Sequence, residues 1–303
     1  MAKEIASQIK NISYEDALND YKKLRDIDYV KINPNSCIGN KAIDYFFFHH
    51  RLATKGPKGI SFLDFIENKQ LTQKNYIIKT VEYHKKKNKK QTPNDTIKFL
   101  YHVFQLYYGS INNFKPMTAK YIYCKYKPNT ILDFSAGWGG RLLSAMACNI
   151  NYIGYDTNVS LVNAYNEMLK VYKTNGTAKI IFADSASVDY SNLMYNMVFT
   201  SPPYYKNKLL ETYENMPEYK SKDDFLNNFL YPVVKKTYTY LQLGGAYILN
   251  IPIYMYNNLI PILGEANEKI PLKITHRIKM VEDNENLYQE YMYVWIKTTQ
   301  KVF

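Results

Sequence analysis

Residues 131–145 read I-L-D-F-S-A-G-W-G-G-R-L-L-S-A. An apolar strand runs into an acid, Asp133. A turn of small residues follows, with Gly137, Gly139 and Gly140, and an apolar helix opens at Arg141. Glycine lets a backbone bend sharply and lets a ligand come close to it. In an open sheet with helices on both faces, such a turn lies beyond the carboxyl end of a strand, where ligands bind. The stretch therefore predicts an α/β layer with a ligand cradle after its first strand.

The flanking sequence supports that reading. Short β-branched or aromatic runs recur at 130–134, 152–155, 179–182, 197–200 and 246–251. Helical stretches at 141–148, 160–172 and 223–241 separate most of them. Strands alternating with helices predict a parallel sheet covered on both faces. Residues 274–280 and 291–297 are strand-like and joined by the polar stretch 281–290, which predicts an antiparallel pair closing one edge. Upstream of Lys127-Pro128 the pattern is mostly helical. Apolar residues recur at helical spacing in 14–24, 42–52, 61–84 and 96–108. Pro34, Gly56-Pro57 and Pro93 punctuate these stretches. The expected division is a mainly helical basic region, 1–112, followed by an α/β domain, 113–303.

A chain of 303 residues can bury a sizeable core without disulfides or metals. With 46% hydrophobic and 22% charged residues it is too apolar to be disordered. No run of 18 apolar residues predicts a membrane span, and the start, M-A-K-E-I-A-S-Q-I-K, has no apolar signal region. Cys37, Cys124 and Cys148 form no CxxC pair, so a reducing, intracellular setting without membrane association is expected. The five histidines include His49-His50, but no metal-ligand spacing appears, so no metal is expected. Net charge is +12, and residues 1–110 carry 19 Lys/Arg against 11 Asp/Glu. That basic third suits a polyanion partner. The 31 Tyr and the scarcity of arginine, four in all, match an AT-biased base composition. Tyrosine number is therefore no sign of a base-stacking platform.

The cradle is not built for a phosphate. No Gly-Lys-Ser/Thr ending follows it, and G-W-G-G-R is not the dinucleotide fingerprint G-x-G-x-x-G. An acid enters the turn instead, which suits a cationic group such as an α-ammonium. Asp156 ends I-G-Y-D, 23 residues after Asp133, where an acid typically bonds ribose hydroxyls. Asp184 follows K-I-I-F-A, where an acid can accept from an adenine amine. Any one of the three acids alone would read as a helix cap or loop residue.

Together these residues resemble a class I S-adenosylmethionine-dependent methyltransferase. D-F-S-A-G-W-G-G is similar to that family's D-P-x-x-G-x-G motif, with Phe134 in place of the frequent proline. The resemblance implies a Rossmann-like, doubly wound, mostly parallel sheet with an antiparallel edge strand. It implies S-adenosylmethionine as cofactor, with Asp133, Ser135, Gly137 and Gly139 around the methionine part, Asp156 on the ribose and Asp184 on the adenine. N-F-K-P-M-T-A-K, residues 113–120, resembles the segment lying under the methionine in DNA-modifying members, which implies roles for Phe114 and Thr118. Trp138 is expected either beside the ligand or in the core.

A second constellation, T-S-P-P-Y-Y, occupies residues 200–205 directly after an apolar strand. Two successive prolines stop the strand and fix the backbone. They lack N–H groups, so local carbonyls face outward as acceptors. Ser201 Oγ and the Pro202 carbonyl can accept the two hydrogens of an exocyclic amine, and Tyr204 can stack on the ring that bears it. Alone, the stretch also reads as a rigid turn. In its place after a fourth strand, Ser201, Pro202, Pro203 and Tyr204 resemble the (D/N/S)-P-P-(Y/F/W) motif of amino-methyltransferases. These methylate the exocyclic amine of adenine or cytosine, usually in DNA. The serine form is most familiar from N4-cytosine enzymes, so N4 of cytosine is expected ahead of N6 of adenine. Relatives with N-P-P-Y methylate a glutamine amide in proteins. Methylation of a cytosine ring carbon would need a Pro-Cys pair, which none of the three cysteines has.

The resemblance thus implies direct methyl transfer to a base flipped out of DNA. The alternatives are RNA or a protein amide as substrate, or a nucleic-acid-binding module without activity. Only 15 residues separate Asp184 from Thr200, so target recognition is expected in residues 1–112. The loop 49–58 and the lysines between Lys85 and Lys90 are its candidate contacts; a purely stabilising helical cap is the other reading. The loop 205–219, with Lys206 and Lys208, is expected to close over the base.

Overall fold

The computed structural model describes residues 1–56, 58–87, 95–206, 209–210, 215–271, 290–300 and 303. Its main sheet contains β1 (Thr130–Asp133), β2 (Asn151–Asp156), β3 (Ala178–Phe182), β4 (Met197–Thr200), β5 (Ala246–Pro252), β6 (Glu268–Pro271) and β7 (Glu290–Ile296). The order across the sheet is β3-β2-β1-β4-β5-β7-β6. The first five strands are parallel, and β7 runs antiparallel to β5 and β6. This is a doubly wound, Rossmann-like, mostly parallel sheet with an antiparallel strand next to one edge.

Alternation along each strand builds two cores. Ile131, Met197, Phe199 and Ile248 face one side, under α8 (Pro116–Tyr126), α9 (Gly140–Ala147) and α10 (Val162–Val171). Leu132, Val198, Tyr247 and Leu249 face the other, against the helical stretch 222–240 and the helix Ile253–Leu263. Successive side chains of a strand point to opposite faces, so the continuous apolar runs mark strands buried on both sides. The stretch 222–240 changes to a π turn at Leu226–Leu230 just before Pro232. Proline has no N–H to return and crowds the preceding turn, and a wider turn accommodates both.

The edge pair differs from expectation in one strand. β7 lies within a residue of the predicted 291–297, but its partner is β6, while 274–280 falls outside the described residues. β6 reads E-K-I-P and alternates half-buried with exposed positions, so it lacks the apolar run that marks a buried strand. Glu268 is held there by Lys125 and, at 2.5 Å, by the Tyr126 hydroxyl.

The helices before the sheet are α1 (Ala2–Ile9), α2 (Tyr14–Asp26), α3 (Asn40–Ala53), α4 (Phe62–Glu67), α5 (Lys69–Thr72), α6 (Asn75–Lys87) and α7 (Asp95–Tyr108). The predicted helix 61–84 is thus three helices. Asn68 breaks it by accepting from the N–H groups of Gln70 and Leu71, a capping geometry that stops one helix and starts the next. α3 belongs to two cores: Ile43, Phe46 and Phe47 pack with the sheet, whereas Phe48 and Leu52 join Phe62, Phe65, Ile77 and Val103 in a third cluster. Between them Asp44, 8% exposed, is bound by Arg51 and, at 2.6 Å, by Lys10. Among the described residues no helix is long and apolar enough to cross a membrane.

Candidate active site

β1 pairs with β2 on one side and β4 on the other. The chain winds outward in opposite directions from that point. Such a switch leaves a crevice at the strands' carboxyl ends, and both constellations open into it: the glycine turn after β1 and Ser201–Tyr204 after β4.

The glycine turn hangs on a buried ion pair. Arg141 Nε donates to Asp133 Oδ2 at 2.6 Å and Nη2 to Oδ1 at 3.2 Å. Nη2 also donates to the Ser135 carbonyl at 2.5 Å. The Tyr152 hydroxyl and the Ser135 N–H complete the shell around Asp133. Burial pulls the Arg141 pKa down, but the charge of Asp133 outweighs it and holds the guanidinium above its ordinary value. Phe114 covers the pair, with its ring centroid 5.2 Å from the guanidinium carbon and its edge-to-face partner Phe199 at 5.4 Å. These contacts correct the expectation for Asp133. Its carboxylate is 0% exposed and already paired with Arg141, so it braces the turn from below instead of receiving a ligand ammonium.

Backbone conformation explains the glycines. Gly137 and Gly139 have φ of 61° and 76°, in the left-handed region that costs other residues energy. At Gly140 a Cβ would overlap the Phe114 carbonyl oxygen. Above Gly137 there is room, since a Cβ there would meet only the Ser135 carbonyl, 3.9 Å away. The turn is fixed by Ala136 N–H to the Tyr155 carbonyl at 2.8 Å, by Gly137 N–H to Asp156 Oδ2 at 2.7 Å and by the Tyr165 hydroxyl to the Gly137 carbonyl at 2.6 Å.

Asp156 therefore stands beside the open part of the turn. Its second oxygen accepts the Asn158 N–H at 2.9 Å. Burial raises its pKa, against the lowering effect of these two backbone donors. A carboxylate oxygen accepts more than one hydrogen, so both retain capacity for hydroxyl donors. Asp184 caps the short helical turn Ser185–Ser187, with Oδ1 on the Ala186 N–H at 3.0 Å and Oδ2 on the Ser187 hydroxyl at 3.2 Å. Thr118 needs correction: its side chain is buried and its hydroxyl is already given to the Pro34 carbonyl at 2.7 Å. Trp138 packs in the core over that face of the sheet.

After β4, Pro202 is buried, and Ser201, Pro203 and Tyr204 are half-buried. Ser201 Oγ lies 2.9 Å from the Tyr204 hydroxyl, which donates to the Asn250 carbonyl at 2.9 Å. The Asn250 side chain donates to the Tyr204 hydroxyl at 2.7 Å and to Ser201 Oγ at 3.3 Å. Asn250 reaches the turn because β4 and β5 run side by side, Thr200 opposite Leu249. The following loop begins with a hairpin of Tyr205–Lys206 and Leu209–Leu210; Lys208 lies outside the described residues.

Three buried atoms without a hydrogen-bond partner sit on or against these segments: Asn113 Nδ2, next to Phe114, Thr200 Oγ1, next to Ser201, and Oδ1 of Asn250, whose amide nitrogen reaches Ser201 and Tyr204. Buried polar groups normally have partners, and a polar ligand over the turns would supply them. Among the described residues no three His, Cys, Asp or Glu are grouped to hold a metal ion.

Sequence reading passed over Arg141, Tyr152, Tyr165 and Asn250. Arg141 carried a signal. In a lysine-rich chain with four arginines, an arginine is kept where a planar fork is needed, because lysine cannot replace a bidentate contact. Asn250 also stood out, as the polar residue in A-Y-I-L-N-I-P.

No family model matches the chain, and no curated protein matches it. Among solved structures it is similar to an rRNA methylase from Streptococcus thermophilus (9% identity, 59% of this chain and 96% of that one, TM-score 0.38). It is also similar to the tRNA m1G37 methyltransferase of M. jannaschii (16% identity, 60% and 49%, TM-score 0.38). A third is a SAM-dependent O-methyltransferase from Thermotoga maritima (11% identity, 66% and 72%, TM-score 0.40).

Proposed function

We propose that this chain is an S-adenosylmethionine-dependent methyltransferase acting on an exocyclic amine, with N4 of cytosine in DNA as the favoured target and N6 of adenine second. One observation carries the reading: an open glycine turn and an S-P-P-Y turn meet at the carboxyl ends of the adjacent strands β1 and β4. A cofactor held by the first turn and an amine held by the second would thus lie side by side.

The residues fit that cofactor in class. Gly137 and Gly139 would let its methionine part lie on the backbone, Asp156 would accept from its ribose hydroxyls, and Asp184 from its adenine amine. When bound, the cofactor supplies an electrophilic methyl on a sulfonium, already a good leaving group. Ser201 Oγ and the Pro202 carbonyl would hold the amine hydrogens so that the nitrogen lone pair faces that methyl. Tyr204 would stack on the ring. The nitrogen–carbon bond forms as the sulfur–carbon bond breaks, and the amine then gives one proton to water. Acceptors already in place stabilise the charge growing on nitrogen, and orientation supplies much of the remaining effect.

Transfer of labelled methyl to mixed-sequence DNA and to RNA, with nucleoside products identified by mass, tests the reading. N4-methylcytosine or N6-methyladenine in DNA is the expected product. Label in RNA alone or in a protein amide would move the substrate, and a protein that does not bind the cofactor would overturn the proposal.

Asp156 gives the cofactor site a pH dependence. Its pKa is raised in the folded protein, and only the ionised carboxylate accepts with both oxygens. Cofactor affinity is therefore expected to fall as pH drops through that raised value and to recover above it. Calorimetric titration repeated at decreasing pH should show this step in the native protein and lose it in Asp156→Asn.

For DNA contact, α6 offers a basic and aromatic face. Tyr76, Lys79, Tyr83 and Lys87 follow at steps of three and four residues, which places them on one side of a helix. Tyr76 and Tyr83 are 42% and 54% exposed, and Lys87 Nζ lies 4.8 Å from the Tyr83 ring centroid. Lys89 and Lys90 lie outside the described residues. Changing Lys79 and Lys87 together to glutamate is expected to weaken DNA binding and flatten its salt dependence by about 0.9 in log–log slope per lost phosphate contact. An unchanged slope would exclude this face.

A further inference from the structure

With the Asn250 amide nitrogen toward Ser201 and Tyr204 and its Oδ1 left without a partner, the four contacts there take one arrangement of protons. The Tyr204 oxygen lies 2.9 Å from the main-chain carbonyl of Asn250. A carbonyl cannot donate, so the phenol proton must point there. The 2.9 Å contact between Ser201 and Tyr204 then requires the serine to donate. The Tyr204 oxygen has no proton left to give and accepts two, one from Ser201 and one from the Asn250 side chain at 2.7 Å. The same amide reaches Ser201 Oγ at 3.3 Å. Asn250 is 4% exposed on β5, within the antiparallel pairing to β7, so its backbone is held by the sheet and its buried side chain has little room to leave the turn.

We infer that Asn250 is a positioning residue that makes Ser201 an obligate acceptor. It takes the Tyr204 proton on its carbonyl and directs its amide at both hydroxyls. The serine proton is thereby committed to Tyr204, and Ser201 has only its remaining lone pair for the pocket. An amine hydrogen is accepted there, while a carbonyl oxygen at the same place meets lone pair against lone pair. The pocket therefore selects an amine over its keto counterpart, cytosine over uracil or adenine over hypoxanthine. The Tyr204 hydroxyl is engaged by the network, so in the proposed reading its ring is the part that would meet a substrate. This inference deepens the proposed amine transfer and rests on it for the substrate, but the network itself does not.

Two measurements test it. In Asn250→Asp the donor becomes a carboxylate, which cannot donate when ionised and can when protonated. The expected result is a kcat lowered on the order of tenfold to a hundredfold at neutral pH, recovering as pH falls, with cofactor affinity unchanged. A residue that only filled space would not give a pH-dependent rescue. A pH profile parallel to that of the native protein, or Asn250→Ala within twofold of native kcat, would overturn the inference. The second measurement needs no activity. Denaturation midpoints of Asn250→Ala, Tyr204→Phe and the double variant should be strongly non-additive, as for residues sharing one network; additive effects would overturn it. If the native protein methylates nothing, the proposed function fails, and this cycle alone decides the network.

Discussion

Arg141→Met is expected to destabilise the protein by about 3–5 kcal/mol, the cost of stripping the partner from a buried charge. Asp133 is 0% exposed and Arg141 is 3% exposed, so water cannot replace the guanidinium. Tyr152 and the Ser135 N–H would remain, two donors facing a full negative charge. The strand end and the helix start would no longer be tied together, because Arg141 bonds both Asp133 and the Ser135 carbonyl. Gly137 and Gly139 hang between those anchors, so cofactor affinity should fall with stability. Urea denaturation and calorimetric cofactor titration measure the two effects. Adding Asp133→Asn to the Met variant should restore part of the stability by removing the orphaned charge. Arg141→Lys should fall between, since an ammonium cannot make the planar double contact. A Met variant within about 1 kcal/mol of the native protein, below the usual cost of breaking such a pair, would show that the pair does not organise the turn.

Ser201→Ala is expected to lower kcat by about a hundredfold to a thousandfold, the usual range for removing one preorganised hydrogen-bonding group from a reacting centre. The change removes one acceptor, together with the hydrogen bond to Tyr204, and little volume. Ser201 follows β4 while the glycine turn follows β1, so cofactor affinity should stay near native. Steady-state transfer to DNA, with cofactor titration beside it, separates the two. A fall in kcat at constant cofactor affinity assigns the hydroxyl to the amine. A kcat within threefold of native would remove Ser201 from the mechanism.

The sequence showed the sheet better than it showed the chemistry of its acids. β1, β4 and β5 are buried runs flanked by turn residues, the trace that parallel strands covered on both faces leave, while β2 and the edge strand β3 are only partly buried and read as strands from their apolar and β-branched residues. The glycines were legible because Gly137 and Gly139 need positive φ and Gly140 lies against the Phe114 carbonyl. Asp133 was misread because its partner is eight residues away across a turn, and only the folded turn brings Arg141 back onto it. Thr118 was misread because Pro34, 84 residues earlier, takes its hydroxyl. Asn250 was passed over because its function depends on β4 and β5 being neighbours, which no local pattern states. β6 escaped because an edge strand with alternate positions exposed resembles a loop.

α3 has a consequence for how the molecule comes apart. Phe46 and Phe47 lie in the sheet's core and Phe48 and Leu52 in the helical one, within a single helix of 14 residues. Neither core can dissolve without stripping one flank of that helix. Its central amide protons should therefore exchange with solvent only when both cores open, and should be among the slowest in the chain. Phe47 of that helix also lies against Gly139, so the floor of the glycine turn belongs to the same shared beam.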